Sequence, residues 1–246
     1  MLSRENYPQA AHFYYLEALK RTGCVVLNGR STFPEGEYRS LRYDSELPRM
    51  TWPESEGFGI HFASIASFDG DLDVRPFGTA CHKAAEKDGR WTENAKKCPM
   101  ICEWVRTIGG NYGAVRVLKK SNDIRKLHTI EDARRLYHRD TTNLYSAPGD
   151  GWIVRLLVEL TDDPASYLFT RTDRDDAATE RRISLSAGLR VLFDADQIWH
   201  TVWHPGTSTR YALLVSLESS KLVSEWVEEQ GWTVPDGERP EATAGS

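Results

Sequence analysis

From about position 113 to position 218 the chain is cut into short runs rich in β-branched, aromatic and other apolar residues: GAVRVLKK, WIVRLLVEL, SYLFTR, RRISLS, LRVLFDA, QIWHTVW and TRYALLVSLE. Turn-forming or charged stretches separate them. Such a close succession of strand-like runs predicts an antiparallel sandwich or barrel. Parity supports two differently used faces. In WIVRLLVEL the residues Trp152, Val154, Leu156, Val158 and Leu160 are all apolar and suit a face packed on helices. Arg155 and Glu159 fall on the other face with Ile153 and Leu157. In TRYALLVSLE, Arg210 shares its face with Ala212, Leu214 and Ser216, which are small enough to line a cavity.

The preceding part reads differently. Residues 8–22 carry apolar residues at mixed helical spacing and stop at Gly23, and 24–29 reads as a short buried strand. Pro34 precedes a short helix within 31–44. Residues 45–75 read as ordered loops with one strand near 58–63. Helices are expected over 78–88 and 92–108, the second opening at Thr92, interrupted at Pro99 and closing on the glycines at 109 and 110. A last helix is expected over 219–232. Residues 233–246 lack apolar anchors and are expected to be disordered. The predicted class is mainly β with flanking helices, one catalytic unit over 1–232. It comprises a helical and loop part (1–110) packed on one sheet, a double-sheet core (111–218) and the closing helix.

Composition excludes several partners. The 31 basic and 36 acidic residues give a net charge of −5, without the basic excess of a chain that grips many phosphates, so nucleic acid is not expected. No apolar run is long enough to span a bilayer, and the segment 1–25 has no sustained apolar stretch, so neither membrane nor secretion is expected. Four cysteines in a chain of this length read as reduced thiols. The expected setting is cytoplasmic, and amphipathic helical faces within 1–110 would suit a homodimer. A zinc reading of Cys98 and Cys102, with Cys81 and His82 upstream, has no matching second cysteine pair; buried thiols explain the spacing better.

The chemistry-bearing constellation begins at Tyr137-His138-Arg139-Asp140. On extended backbone, positions i and i+2 share a face, so His138 and Asp140 can reach one ion. Taken alone, an H-x-D is as easily a surface loop or a helix cap. His200 follows much further along the chain on a predicted strand, and Arg210 comes after it, across a Pro-Gly turn. Two imidazoles and one carboxylate on one side of a metal leave three positions open. A 2-oxo acid fills two of those and oxygen the third, and a guanidinium can grip the far carboxylate. His204 is an alternative to His200, but stands close before Arg210, which leaves little strand for both to point inward. Arg155 and Arg116 could each hold the carboxylate of a substrate, or could be solvent-facing charges. Tyr137 and Trp152 could line a pocket, although aromatic residues in such strands are more often core.

These residues, with Gly188-Leu189-Arg190-Val191-Leu192-Phe193-Asp194 and Arg210-Tyr211, resemble the Fe(II)/2-oxoglutarate-dependent dioxygenase family. AVRVLKK, LYHRD, VRLLVELT and LRVLFDADQIWHTV look like its aspartyl/asparaginyl hydroxylase-like branch, which includes free amino-acid hydroxylases. The resemblance covers about 110–218. It implies a double-stranded β-helix, a jelly-roll of the cupin kind, with iron held by His138, Asp140 and His200. It implies that Arg210 holds the 2-oxoglutarate carboxylate, and favours Arg155 for a second contact to 2-oxoglutarate or to substrate. The implied activity is O2-dependent hydroxylation of a small molecule, a free amino acid or peptide-like metabolite. With Asp140 present, rather than the Gly or Ala of related halogenases, hydroxylation is the default. Other readings are a protein side-chain hydroxylase, a non-catalytic metal-binding cupin module, and a zinc hydrolase. The chain departs from the branch by inserting SNDIRKLHTIEDARRL where a short glycine turn is usual.

Overall fold

The computed structural model describes residues 16–43, 45–46, 60–72, 87–120, 129–145 and 149–235. The expected helix at 78–88 and the tail after 235 lie outside these, as do Cys81 and His82. Of the expected helix over 8–22 only α1 (Glu17–Lys20) is described. Gly23 ends it with φ at 67°, a conformation that favours glycine.

Two antiparallel sheets form the core. The large one has nine strands, in the order β12 (Trp232–Thr233), β1 (Cys24–Leu27), β9 (Arg190–Phe193), β6 (Ile153–Glu159), β11 (Arg210–Glu218), β5 (Tyr112–Lys120), β3 (Ile60–Ser67) and β2 (Ser45–Glu46), with β4 (Arg90–Trp91) also paired to β3. The small sheet runs β10 (Trp199–Trp203), β7 (Tyr167–Arg171) and β8 (Arg181–Ser184). The chain therefore passes back and forth between the sheets: β5 and β6 in the large, β7 and β8 in the small, then β9 large, β10 small and β11 large. This winding is a double-stranded β-helix, and every run quoted from position 113 onward is one of its strands.

The alternation in β6 is read by two separate cores. Val154, Leu156 and Val158 join Leu213, Val215 and Leu217 of β11 on the helix-facing side. That side is covered by α3 (Pro99–Thr107), through Ile101, Cys102 and Val105, and by α5 (Lys221–Gln230), through Val223, Trp226 and Val227. Between these two in chain order, the short α4 (Ile130–Arg135) opens on a capping box of Thr129 and Asp132 and leads directly into the H-x-D segment. Leu157 instead joins Leu168, Ile183, Val191, Phe193 and Ala212 between the sheets. Pro99 breaks the expected helix over 92–108 in two. A 3₁₀ turn over Glu93–Lys97 ends at Cys98, and α3 restarts with proline in its first turn. The buried Glu37 of α2 (Glu35–Arg39) caps that restart, accepting from the backbone N–H of Met100 at 2.9 Å and of Ile101 at 3.2 Å. Among the described residues no helix is long and apolar enough to cross a membrane.

Candidate metal centre

His138 extends the small sheet by one bridge, directly opposite His200 near the start of β10. The two residues exchange both backbone hydrogen bonds, His138 N–H to His200 C=O at 3.2 Å and His200 N–H to His138 C=O at 2.9 Å. A mutually bonded antiparallel pair puts both side chains on one face, and the ring centroids are 4.4 Å apart. Each Nδ1 faces a backbone carbonyl two residues back: Leu136 at 3.0 Å from His138, and Ile198 at 3.4 Å from His200. A carbonyl only accepts, so Nδ1 carries the proton and Nε2 keeps its lone pair. That tautomer is the one an Nε2 metal ligand needs.

Asp140 completes the cluster. Its N–H bonds the carbonyl of Ala195 at 2.8 Å, which ties it to the turn leading into β10. One ligand atom from each of His138, Asp140 and His200 can be chosen so that all lie within 4.8 Å of one another; this is the cluster of metal-binding type found among the described residues. The side toward His138 is open to solvent, and the side toward His200 is closed, with Phe193 at 5.2 Å between ring centroids. Burial pushes the Asp140 carboxyl up, but the Arg155 guanidinium and the two imidazoles outweigh it and hold it at about 2. Burial pushes His200 down to about 3. At neutral pH the site therefore presents an ionised carboxylate beside a neutral imidazole, the protonation states a divalent metal requires. Three donors on one side suit a six-coordinate ion such as Fe(II) with open positions.

The remaining candidates are spread over several places. Arg155 is 5% exposed and stands behind the cluster. Its Nε donates to Asp140 Oδ2 at 3.2 Å, its Nη2 to Thr142 at 3.1 Å, and its Nη1 to Ser216 of β11. It grips a protein carboxylate, where the family resemblance implied a ligand's. Arg210 is likewise engaged: its Nε and Nη2 both donate to Glu159 Oε2, at 3.0 and 2.6 Å. Arg116 lies on the inner face of β5, opposite Leu214. Tyr137 is buried with its hydroxyl donating to Glu180 at 3.2 Å and Arg171 over its ring. Trp152 is fully buried in the helix-side core, on the far side of the large sheet from the inter-sheet space.

His204 stands apart from the cluster. It is buried, with Nδ1 bonded to Ser166 at 2.7 Å and Nε2 to the carbonyl of Ser208 at 2.8 Å. Both ring nitrogens are thus used in fixing the turn before β11. Cys98 and Cys102 are buried free thiols, pushed up to about 12 and about 11, first by burial. Sequence reasoning missed Glu159, Glu180, Asp196 and Lys120. Asp196 accepts from the backbone N–H groups of Thr142 (3.0 Å) and Asn143 (2.8 Å), and so anchors the chain just after Asp140. Glu180 collects Arg134, Arg171 and Arg182 on its two oxygens. The signal for Glu159 was present in the parity of β6, but its partner was not.

No family model and no curated protein matches the chain. Among solved structures it is similar to an oxidoreductase of the 2OG-Fe(II) oxygenase family from Burkholderia pseudomallei, with 12% identity over 89% of this chain and 91% of that one and a TM-score of 0.49. It is also similar to a prolyl hydroxylase from Trichoplax adhaerens in complex with a hypoxia inducible factor peptide, with 13% identity over 90% and 94% and a TM-score of 0.45. A third is HygX from Streptomyces hygroscopicus with nickel and 2-oxoglutarate bound, with 12% identity over 90% and 89% and a TM-score of 0.40.

Proposed function

We propose that the protein is a non-haem Fe(II)- and 2-oxoglutarate-dependent oxygenase that hydroxylates a C–H bond of a small molecule. The observation that carries this reading is the cluster of His138, Asp140 and His200. Its two imidazoles are held in the ligand tautomer by Leu136 and Ile198, and its carboxylate is ionised. His138, Asp140 and His200 would hold the iron, which would supply oxygen activation coupled to oxidative decarboxylation of 2-oxoglutarate to succinate and CO2.

The rest is the work of this chain's own residues. The backbone exchange between His138 and His200 fixes the separation of the two imidazoles. Arg155 donates to Oδ2 of Asp140 and so would fix the orientation of the carboxylate for a bound metal. Phe193, Leu157, Val191 and Ala212 keep the inter-sheet space behind the site apolar, so charges placed there act through a low dielectric. The open side at His138 is the side from which a substrate can approach. The finer reading is a free amino acid or peptide-like metabolite as substrate, within the amino-acid hydroxylase branch. It rests on the resemblance of AVRVLKK, LYHRD and LRVLFDADQIWHTV.

The test is anaerobic addition of Fe(II) and then 2-oxoglutarate to metal-free protein. A visible metal-to-ligand charge-transfer band is expected in wild type and is lost in His200→Ala. Succinate release then serves to search substrates, amino acids first. A well-folded wild type that gives no band overturns the oxygenase reading.

A further inference from the structure

The H-x-D segment is tied down by main chain on one side of His138 and by a side chain on the other. Downstream, the N–H of Asp140 bonds the carbonyl of Ala195 at 2.8 Å. His138 itself forms one isolated bridge, with His200. A single bridge sets the spacing of two segments but lets one pivot about the other. What holds the upstream side therefore decides where the His138 imidazole points. That side is Tyr137, which is 4% exposed and whose hydroxyl donates to Glu180 Oε2 at 3.2 Å.

Glu180 gathers its partners on the outer face of the small sheet. Leu168 of β7 and Ile183 opposite it in β8 belong to the inter-sheet core, and Thr170, of the same parity as Leu168, stands opposite His200. Arg171 alternates to the outer side, opposite Trp199, and Arg182 does so opposite Phe169. Both donate to Glu180: Arg171 through Nε at 3.1 Å and Nη2 at 2.6 Å, Arg182 through Nε at 3.2 Å. The Arg171 guanidinium also covers the Tyr137 ring, 4.8 Å from its centroid. From α4, Arg134 adds Nε at 3.0 Å and Nη2 at 2.6 Å. Glu180 is 6% exposed, and bonds to an ionised acceptor are short and strong. β7 and β8 are already joined by their own ladder. The carboxylate adds most to α4 and Tyr137, which that ladder does not hold.

We propose that Glu180 is a positioning residue for the metal site, acting through the Tyr137 hydroxyl to set the direction in which His138 presents its imidazole. The proposal rests on the oxygenase reading for the metal alone, since the orientation of His138 belongs to the metal-free fold. It also gives a part to the sequence that departs from the resembled branch. Arg134 lies in the insert that replaces a short glycine turn. Through Glu180 that end of the insert docks on the back of the strands whose front bears His200.

The experiment compares the full chain as wild type, Glu180→Gln, Tyr137→Phe and the double variant. Val223→Ala, in the helix-side core, serves as a control. Mn(II) affinity is measured by calorimetry, and amide hydrogen exchange in the metal-free proteins by NMR. Glu180→Gln and Tyr137→Phe should each weaken Mn(II) binding by about tenfold, the low end of what losing the support of a ligand costs. The double variant should bind no more weakly than Glu180→Gln, because both changes act on one bond. Val223→Ala should lower the melting midpoint and leave Mn(II) affinity unchanged, which separates positioning from stability. The His138 amide should exchange faster in Glu180→Gln and Tyr137→Phe by a larger factor than the amides of β6. Tyr137→Phe keeps the ring beneath Arg171, so it decides the matter if Glu180→Gln melts too low to titrate. If wild type binds no Mn(II), the oxygenase reading fails, and exchange at His138 alone decides the positioning role. Wild-type affinity in Glu180→Gln, additive losses in the double variant, an equal loss in Val223→Ala, or exchange at His138 that rises no more than in β6 overturns the proposal.

Discussion

A ligand that binds only the folded chain stabilises it by RT ln(1 + [M]/Kd), which is about 2.7 kcal/mol at a metal concentration of 100 Kd. For a chain of 246 residues each kcal/mol moves the melting midpoint by about 2–4 °C. Anaerobic Fe(II), or Mn(II) as a stable substitute, should therefore raise the midpoint of the metal-free protein by about 5–10 °C. His200→Ala removes one of three donors. If affinity falls about a hundredfold, the same metal concentration stands near Kd and the shift shrinks to about 1–2 °C. The truncation also leaves a hole between the rings of Phe193 and His138, lowering the metal-free midpoint by the equivalent of about 2–3 kcal/mol. The diagnostic quantity is therefore the metal-induced shift and not the midpoint. The backbone bridge to His138 uses main-chain atoms and survives the substitution. His200 is neutral above about 3 and Asp140 ionised above about 2, so neither must release a proton to bind metal near neutrality. An undiminished shift in His200→Ala, or none in wild type, would refute the assignment of these residues as ligands.

Three further outcomes follow from the surroundings of the site. Arg155→Met leaves the Asp140 carboxylate without its guanidinium and strips Ser216 and Thr142 of a donor. We expect a loss of about 2–4 kcal/mol, read as a lower melting midpoint of metal-free protein, with Arg155→Lys recovering only part because one ammonium cannot serve three separated oxygens. Gly23→Ala combines a φ of 67° with a Cβ that would stand 2.4 Å from Ile198 Cγ2, two residues before His200. Its melting and its metal shift should both fall, and an unchanged metal shift would mean that the start of β10 tolerates the displacement. Glu180 is raised by burial, but the bonds and charges of Arg134, Arg171 and Arg182 outweigh this and bring its carboxyl from 4.5 down to about 2. A depressed carboxyl stabilises above its unfolded value and loses that contribution as pH falls through the folded one. Glu180→Gln should therefore lower the midpoint at neutral pH and flatten its decline between about pH 4.5 and about pH 2, as followed by circular dichroism melts.

What was legible beforehand depended on how local the deciding physics was. The strands from 113 onward announce themselves by composition, and the faces of β6 and β11 by a period of two, because burial on either side of a strand is written residue by residue. The break at Pro99 is legible for the same reason: a proline lacks the N–H that would continue the helix. His138 and Asp140 share a face by spacing alone. That His200 lies directly opposite His138 is a matter of register between segments far apart in the chain, and neither segment states it. Trp152 shows the limit of residue type as evidence. An indole beside the motif suits a pocket wall, yet strand parity assigns it to the helix-side core, and the core is where it packs.

The basic residues carry this furthest. From the sequence, Arg210 is the expected holder of the 2-oxoglutarate carboxylate and Arg155 a second contact to it or to substrate, since each falls on an inner strand face. What each meets within the chain is set by topology. β6 antiparallel to β11 puts Ser216 across from Arg155 and Ala212 across from Glu159. Arg155 therefore falls within reach of Asp140, and Arg210 within reach of Glu159. Both guanidiniums meet carboxylates of the chain, Arg155 that of Asp140 in the candidate cluster and Arg210 that of the buried Glu159. Arg116 and Lys120 lie on the same inner face, and neither residue type nor chain position tells which of these four cations meets a carboxylate; strand register does.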